Sequence, residues 1–203
     1  MISFYANKAS GNSSRVEYVL KLLKIPYTYK SIDFKDLKTL SYVKINPAGK
    51  VPAIQDGEFT LFESSAINKY LCNKYNGEFL YPYDPEKRAL IDSWLDFCAL
   101  DISIPVGVVV FNRVFAPNLG MSSNEALIQW GLHELTKDLP LLEEQLKKHA
   151  YLVGERMSLA DIHLLATLQY ADAANIDVTA YPHLVNWKNN LRETSFYKEV
   201  HQN

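Results

Sequence analysis

Asn46-Pro47-Ala48-Gly49-Lys50-Val51-Pro52-Ala53-Ile54-Gln55-Asp56-Gly57-Glu58-Phe59-Thr60-Leu61-Phe62-Glu63-Ser64-Ser65-Ala66-Ile67-Asn68-Lys69-Tyr70-Leu71 is the stretch that decides the fold. It reads as a loop, a Val-Pro peptide, two short strands and a helix in close order. Pro52 stands where an apolar strand begins, and proline cannot donate to a sheet ladder. An X-Pro bond takes the cis form at only about 0.5–1 kcal/mol. A cis bond here turns the Val51 N–H and C=O sideways, toward any extended chain lying alongside. Asp56-Gly57 is a hairpin signal between Ala53-Ile54 and Thr60-Leu61-Phe62. Glu63-Ser64 then precedes an apolar periodicity (Ala66, Ile67, Tyr70, Leu71) that predicts a helix. The first N–H groups of that helix and the Ser64 hydroxyl face one place, which suits a peptide-like anion.

Toward the N-terminus, residues 2–6 form a short β-prone run. Val16, Val19, Leu20, Leu22 and Leu23 recur at helical spacing, and Ile25-Pro26 ends that helix. Residues 27–32 predict a second strand and residues 36–42 a short helical piece. The order β-α-β, short helix, β-β-α places parallel and antiparallel strands in one helix-covered sheet, the thioredoxin-like arrangement. Toward the C-terminus the composition changes at Glu78. Leu80-Tyr81-Pro82-Tyr83-Asp84-Pro85 reads as a linker, with Pro85 suited to the first turn of the next helix. Beyond it the pattern predicts helices over about residues 86–114, 124–149 and 159–174, with shorter pieces near 182–192 and 196–201. Pro105 and Pro140 are expected to kink or interrupt the first two. Ser158-Leu159-Ala160-Asp161 fits a capping box. The expected division is an α+β domain over 1–77, a linker over 78–85 and an all-helical domain over 86–203.

A chain of 203 residues, 48% hydrophobic and 22% charged, has the composition of an ordinary globular protein and apolar residues enough for one large core or two small ones. A net charge of −2 leaves no electrostatic footprint for nucleic acid. The start Met-Ile-Ser-Phe-Tyr lacks the basic residues and long apolar run of a secretory signal. No apolar stretch is expected to span a membrane, since residues 102–110 are broken by Ser103, Pro105 and Gly107. Cys72 and Cys98 are too few for a disulfide framework. Both read as packing residues, in a reducing, cytoplasmic compartment. The histidines at 133, 149, 163, 183 and 201 show no ligand spacing, so no metal is expected.

The order and spacing of residues 46–71 resemble the glutathione-binding half of the cytosolic glutathione transferases. The wording NPAGKVPAI followed by LFESSAI is similar to phi-like and bacterial members. Residues 152–161 (Leu-Val-Gly-Glu-Arg-Met-Ser-Leu-Ala-Asp) are also similar to the capping segment that nucleates the helical domain of that family. The resemblance implies a thioredoxin-like domain followed by a helical bundle, assembled as a homodimer. It also implies that Val51 and Pro52 pair with the cysteinyl backbone of glutathione and that Glu63 and Ser64 hold its γ-glutamyl end. Lys38 and Lys50 would pair with its glycyl carboxylate. Ile104, Val108, Phe111, Asn112 and Phe115 form one helical stripe. By resemblance Val108, Phe111, Asn112 and Phe115 line the site of a small apolar electrophile; the same face reads equally as core.

Conjugation requires an activated thiol. A free thiol has a pKa of about 8.5, and lowering it by ~2 units takes ~2.7 kcal/mol of thiolate stabilisation. One hydrogen bond to a charged group supplies about 1.5–3 kcal/mol, and a helix N-terminus adds about 0.3–1. A single donor at the start of the first helix therefore suffices, and Ser10-Gly11-Asn12-Ser13-Ser14-Arg15-Val16 lies there. Matching to the phi pattern puts Ser10 in the catalytic place; the nu pattern points to Ser10 and Asn12, with Ser13 next. Tyr5 stands near the place used by Tyr-type classes, though an ungapped match puts Phe4 there. The same cluster also reads as a plain helix cap and turn. Residues 1–71 contain no cysteine, which removes thiol–disulfide chemistry at the first helix. The implied function is metal-free conjugation of glutathione, as co-substrate, to small apolar electrophiles, with peroxide or disulfide reduction at the same site. The rival reading is a non-catalytic scaffold, like the domains in the elongation-factor gamma subunit or the stringent starvation proteins. Neither nucleic acid nor membrane is an expected partner.

Overall fold

Ile2, Phe4 and Ala6 alternate with Ser3 and Tyr5 along the first strand, and only the first set is fully buried. This alternation gives the sheet one face toward the core. The computed structural model describes residues 1–201. Strand β1 (Ile2–Ala6) leads into α1 (Gly11–Leu22), which closes at Lys24 in the left-handed region (φ 52°). Strand β2 (Tyr27–Ser31) runs parallel to β1. A 3-10 turn (Phe34–Asp36) and the short α2 (Leu40–Val43) lead to the Asn46 loop. The hairpin β3 (Ala53–Asp56) and β4 (Phe59–Phe62) follows, then α3 (Ser64–Lys74). Strand order is β2-β1-β3-β4, with β3 antiparallel to both neighbours. The hairpin turns on Gly57-Glu58 with positive φ at Gly57 alone (66°), the pattern of a II′ turn. Helices α1 and α3 pack together. The Tyr42 ring of α2 meets the Tyr5 ring on the other side of β1, at 6.3 Å.

The second unit is helical: α4 (Pro85–Phe97), α5 (Ser103–Val110), α6 (Ala116–Asn118), α7 (Glu125–Lys148), α8 (Leu159–Thr167) and α9 (Pro182–Arg192). Asp84 caps α4 by accepting from Lys87 N at 2.9 Å, and Pro85 takes the first turn. Wide π-type turns at Cys98–Ile102 and Phe111–Phe115 join α4, α5 and α6 into one run, Pro85–Asn118. The sequence expected this helix to end near residue 114 and Pro105 to kink or interrupt it; a wide turn does stand just before Pro105. Its ring would meet the carbonyl of Asp101, and that carbonyl lies inside the wide turn. Ser103, Pro105 and Gly107 therefore do not break the run. It is long and apolar enough by composition to cross a membrane, which corrects the expectation that no stretch is. In this structure one face of it packs in the core: Ile102, Val106 and Val109 are buried, and α5 packs on α7 and α8. Helix α7 likewise continues through Pro140. Pro140 and Thr136 both lie on its exposed face, so the hydrogen bond that proline removes falls on the solvent side. The helix expected over 159–174 stops at Thr167 and passes into a 3-10 turn, Leu168–Tyr170. Beyond it, Arg113 Nη1 donates to the carbonyls of Ala174 and Asn175, each at 2.9 Å.

The capping box is present. Its Asp161 carboxylate is wholly buried and accepts from Leu152 N (3.0 Å), Ser158 N (2.9 Å), Ser158 Oγ (2.9 Å) and Trp187 Nε1 (3.1 Å). Burial pushes its pKa up, against the pull of those four donors.

The compact units divide the chain at Tyr81 and Pro82, and the last helix, α10 (Ser195–His201), groups with the first unit. The sequence division had placed α10 in the helical domain. Its Phe196 and Tyr197 rings lie 5.4 and 5.8 Å from that of Tyr18, and Glu199 pairs with Lys21 at 3.3 Å.

Candidate active site

One row across the sheet brings the sequence motifs together. Tyr5 pairs with Ala53, and Ala53 with Phe62. The chain leaving β1, the chain entering β3 and the chain leaving β4 therefore meet at one end of the sheet. The adjoining segments are the Asn7–Ser10 turn, Val51-Pro52 and Glu63-Ser64. Helices α1 and α3 both begin here, so two sets of first-turn N–H groups and two positive helix ends share this place. The Val51-Pro52 bond is cis. Glu63 has φ 68°, a left-handed conformation that costs a non-glycine residue of the order of 1 kcal/mol or more. It is the N-cap of α3, with no side-chain cap bond and an exposed side chain.

The β1–α1 turn is built by polar side chains. Asn7 Nδ2 donates to Ile32 O at 2.8 Å, and its Oδ1 accepts from Ala9 N at 2.9 Å. Ser10 is the N-cap of α1, its Oγ accepting from Ser13 N at 3.3 Å. That bond uses a lone pair and leaves the Ser10 hydrogen to be donated. Ser13 is buried, and its Oγ accepts from Asn7 N at 3.2 Å, so it holds the turn from inside. Asn12 is exposed on the first turn. Phe4 is fully buried, and the Tyr5 hydroxyl donates to Gln55 Oε1 at 3.1 Å, tying β1 to β3.

Ser64, 6% exposed, accepts at Oγ from Arg15 Nη1 at 3.0 Å. Arg15 is itself buried, and Asn68 Nδ2 donates to its carbonyl at 3.2 Å. Neither Arg15 nor Asn68 was expected at the site. The available signal was a charged residue on the buried side of α1, which also holds Glu17; that carboxylate takes Tyr27 Oη at 2.8 Å and Lys8 Nζ at 3.3 Å. With its lone pair engaged by a guanidinium, Ser64 presents its own O–H as a donor. Ser10 and Ser64 are thus both set to donate to anions.

The loop before Val51 has its own frame. Tyr42 Oη and Asn46 Nδ2 donate to Lys50 O at 2.7 and 2.6 Å. Burial, above all, pushes the Tyr42 phenol up to about 12, against the pull of its hydrogen bond with Asn46. Lys38 Nζ donates to Ala48 O at 3.2 Å, while the Lys50 side chain is exposed. Both cations therefore border the Val51 segment.

In the helical unit the wide turn Phe111–Phe115 breaks the register of the expected stripe, because a π turn rotates the residues after it away from α-helical spacing. Phe111 is exposed, Val108 half-buried, and Phe115 stacks edge-on with Tyr170 at 5.5 Å. Asn112 is buried and engaged at both ends of its amide: Nδ2 donates to Val108 O (2.9 Å) and Oδ1 accepts from Asn124 N (2.8 Å). It clips α7's start to this turn rather than presenting an amide outward. Among the described residues, no three His, Cys, Asp or Glu side chains stand together as a metal site would require.

A mixed four-stranded sheet with this end-on site, followed by an all-helical unit, defines the glutathione-transferase fold. Residues 4–79 match the family model of the glutathione S-transferase N-terminal domain, and residues 101–194 that of the C-terminal domain. Glutathione S-transferase 1 of Zea mays is 32% identical, covering 98% of this chain and 95% of that protein. A solved glutathione S-transferase I bound with lactoylglutathione superposes with a TM-score of 0.91 at 30% identity, covering 99% of this chain and 98% of that one. Glutathione transferase F7 from Populus trichocarpa gives 0.93 at 27% identity, covering 100% and 98%. The maize enzyme in complex with an atrazine glutathione conjugate gives 0.90 at 30%, covering 98% and 95%. The chain belongs to the glutathione S-transferase family, with phi-class plant transferases among its relatives.

Proposed function

We propose that this protein binds glutathione along Val51-Pro52 and transfers its thiolate to small apolar electrophiles. The observation that carries the reading is the convergence of Ser10, Val51-Pro52 and Ser64 at one end of the sheet, beside two helix N-termini. Val51 offers backbone pairing to the cysteinyl residue, Ser64 donates to the γ-glutamyl carboxylate, and exposed Glu63 faces its ammonium. Lys38 and Lys50 supply positive charge for the glycyl carboxylate. Ser10 donates to the sulfur and holds it as thiolate, helped by the start of α1; Asn12 borders the same turn. The sulfur then forms a bond to an electrophilic carbon, and the leaving group departs with its electron pair. Val108, Phe111 and Phe115 supply apolar surface for the electrophile; Asn112 supports them from within. The same thiolate would serve peroxide or disulfide reduction.

The reading includes a homodimer in the cytoplasm. Exposed Leu90, Leu100 and Ile104, with Leu127, Trp130 and Leu141 of α7, offer apolar surface for a second copy. Cys72 and Cys98 are buried and not joined in a disulfide, which fits a reducing compartment.

The test is a titration with glutathione near neutral pH, following the ultraviolet thiolate band of the bound ligand. A saturable band is expected, followed by turnover in screens of electrophiles, peroxides and disulfides. Binding without the band would leave a glutathione-binding protein without thiol activation. No binding at millimolar glutathione would put the scaffold reading in its place.

A further inference from the structure

We propose that Tyr42 and Asn46 are positioning residues for glutathione, holding the Lys50 carbonyl so that the Val51 N–H is aimed at the ligand's cysteinyl carbonyl. This inference rests on the glutathione-binding reading above.

Tyr42 and Asn46 are 3% and 2% exposed, yet they lie beside a loop whose Pro47 and Lys50 are exposed. They donate to a single carbonyl oxygen, Lys50 O, at 2.7 and 2.6 Å. A carbonyl has two lone pairs, so both are filled from the protein side. The Lys50–Val51 peptide is trans, and in a trans peptide the N–H points opposite to the C=O. Pinning the carbonyl inward therefore points the Val51 N–H outward. Without the two donors, no protein hydrogen bond would hold the Lys50 carbonyl inward, and the peptide could turn over. A carbonyl would then face the ligand's carbonyl, and a hydrogen bond would become a repulsion.

The rest of the loop fixes the donors themselves. Asn46 Oδ1 accepts from Ala48 N at 3.0 Å, and Asn46 O accepts from Gly49 N at 2.9 Å. Gly49 has φ 58°, and a Cβ there would stand 2.8 Å from Leu37 O, so only glycine closes the turn without strain. The Tyr5 ring steadies the Tyr42 ring at 6.3 Å. The Tyr42 hydroxyl, a phenol that burial pushes still higher, is protonated and so a donor near neutral pH.

The experiment pairs two variants with two ligands, measuring affinities by calorimetry on the full chain. One ligand is glutathione. The other replaces its cysteinyl-glycine amide by a trans-alkene, which keeps the shape and removes the carbonyl acceptor. The unaltered protein should bind the alkene analogue about 10-fold more weakly, the upper range for one neutral hydrogen bond. In Tyr42→Phe combined with Asn46→Asp, which keeps the acceptor for Ala48 N, glutathione binding should weaken until that ratio approaches one. In Tyr42→Phe alone, which adds no charge, the thiolate pKa of bound glutathione should stay unchanged, because Ser10 is untouched. Tyr42→Phe alone, which removes a single hydroxyl, should show an intermediate ratio and serves if the double variant does not fold. Equal weakening toward both ligands, with the ratio kept near 10-fold, would overturn the proposal and leave the clamp a purely structural one. Failure of the unaltered protein to bind glutathione would remove both this inference and the functional reading beneath it.

Discussion

Ser10 can cap a helix and activate a thiol at once, because the two tasks use different parts of one hydroxyl. The cap uses a lone pair, filled by Ser13 N–H; the proposed activation would use the hydrogen. Substitutions separate them. Ser10→Gly removes the hydroxyl, but glycine is tolerated at an N-cap at a few tenths of a kcal/mol. Ser10→Asp keeps the cap and sets a negative charge beside the sulfur. Both should bind glutathione, and the thiolate band titrated against pH should show the bound thiol pKa raised by about 1–2 units. The thermal midpoint should barely move in either. An unchanged thiol pKa in both would pass the role to Asn12 or to backbone N–H groups. Ser10, Val51 and Ser64 were legible because residue type and local position define them. The Arg15–Ser64 bond was not: its partners are 49 residues apart and meet only once the sheet has formed. Asn46 stood in plain view, yet a short polar side chain before proline signals a turn and not which carbonyl it will seize.

Between residue and domain, what matters is how each element is tied to the next. The hairpin is fastened to the far end of α3 by one carboxylate. Asp56 accepts from Lys74 Nζ at 2.7 Å, Tyr75 Oη at 2.8 Å and Tyr70 Oη at 2.9 Å. The hydrogen bond from Lys74 leads in holding its pKa below the ordinary 3.8, with both tyrosines assisting against the opposing effect of burial. A carboxyl whose pKa is lower folded than unfolded stabilises the fold at every pH above its unfolded value. That contribution fades as the pH falls from there through the lowered folded value. Asp56→Asn should therefore lower the thermal midpoint by a constant amount at neutral and mildly acidic pH, and the gap should close only in strong acid. A gap that closed near pH 6 instead would assign the effect to another group. Element order, hairpin and capping box were all readable from periodicity and turn chemistry. The π turns were not, since one extra residue in a helical turn depends on packing around Pro105 and Asn112 rather than on composition. The stripe drawn at strict helical spacing therefore crosses a π turn at Phe111–Phe115, and its members do not follow one α-helical face.

At the scale of the whole molecule, the proposed roles divide by unit. The residues proposed for glutathione all lie between Ser10 and Ser64, within the unit that also takes in α10. That last membership depends on Tyr18, 0% exposed, receiving Phe196 and Tyr197, a pairing across most of the chain that no local pattern announces. The helical unit has its own keystone in Asp161, whose two oxygens satisfy four donors from the 152–161 segment and α9. Asp161→Ala strands those donors in the interior, where each unsatisfied group costs about 1–3 kcal/mol. Partial repacking brings the expected destabilisation to roughly 3–5 kcal/mol, measured as a shift of the denaturant midpoint. Yet Asp161 shares no hydrogen-bond partner with Ser10, Val51 or Ser64, and effects at unconnected sites add independently. At a temperature where the variant is folded, its calorimetric affinity for glutathione should stay within about twofold of the unaltered protein's. Turnover with an apolar electrophile should fall further than binding does, because the residues proposed for that substrate sit in the unit that was loosened. Loss of glutathione affinity in step with stability would show that the glutathione site is not built by the first unit alone.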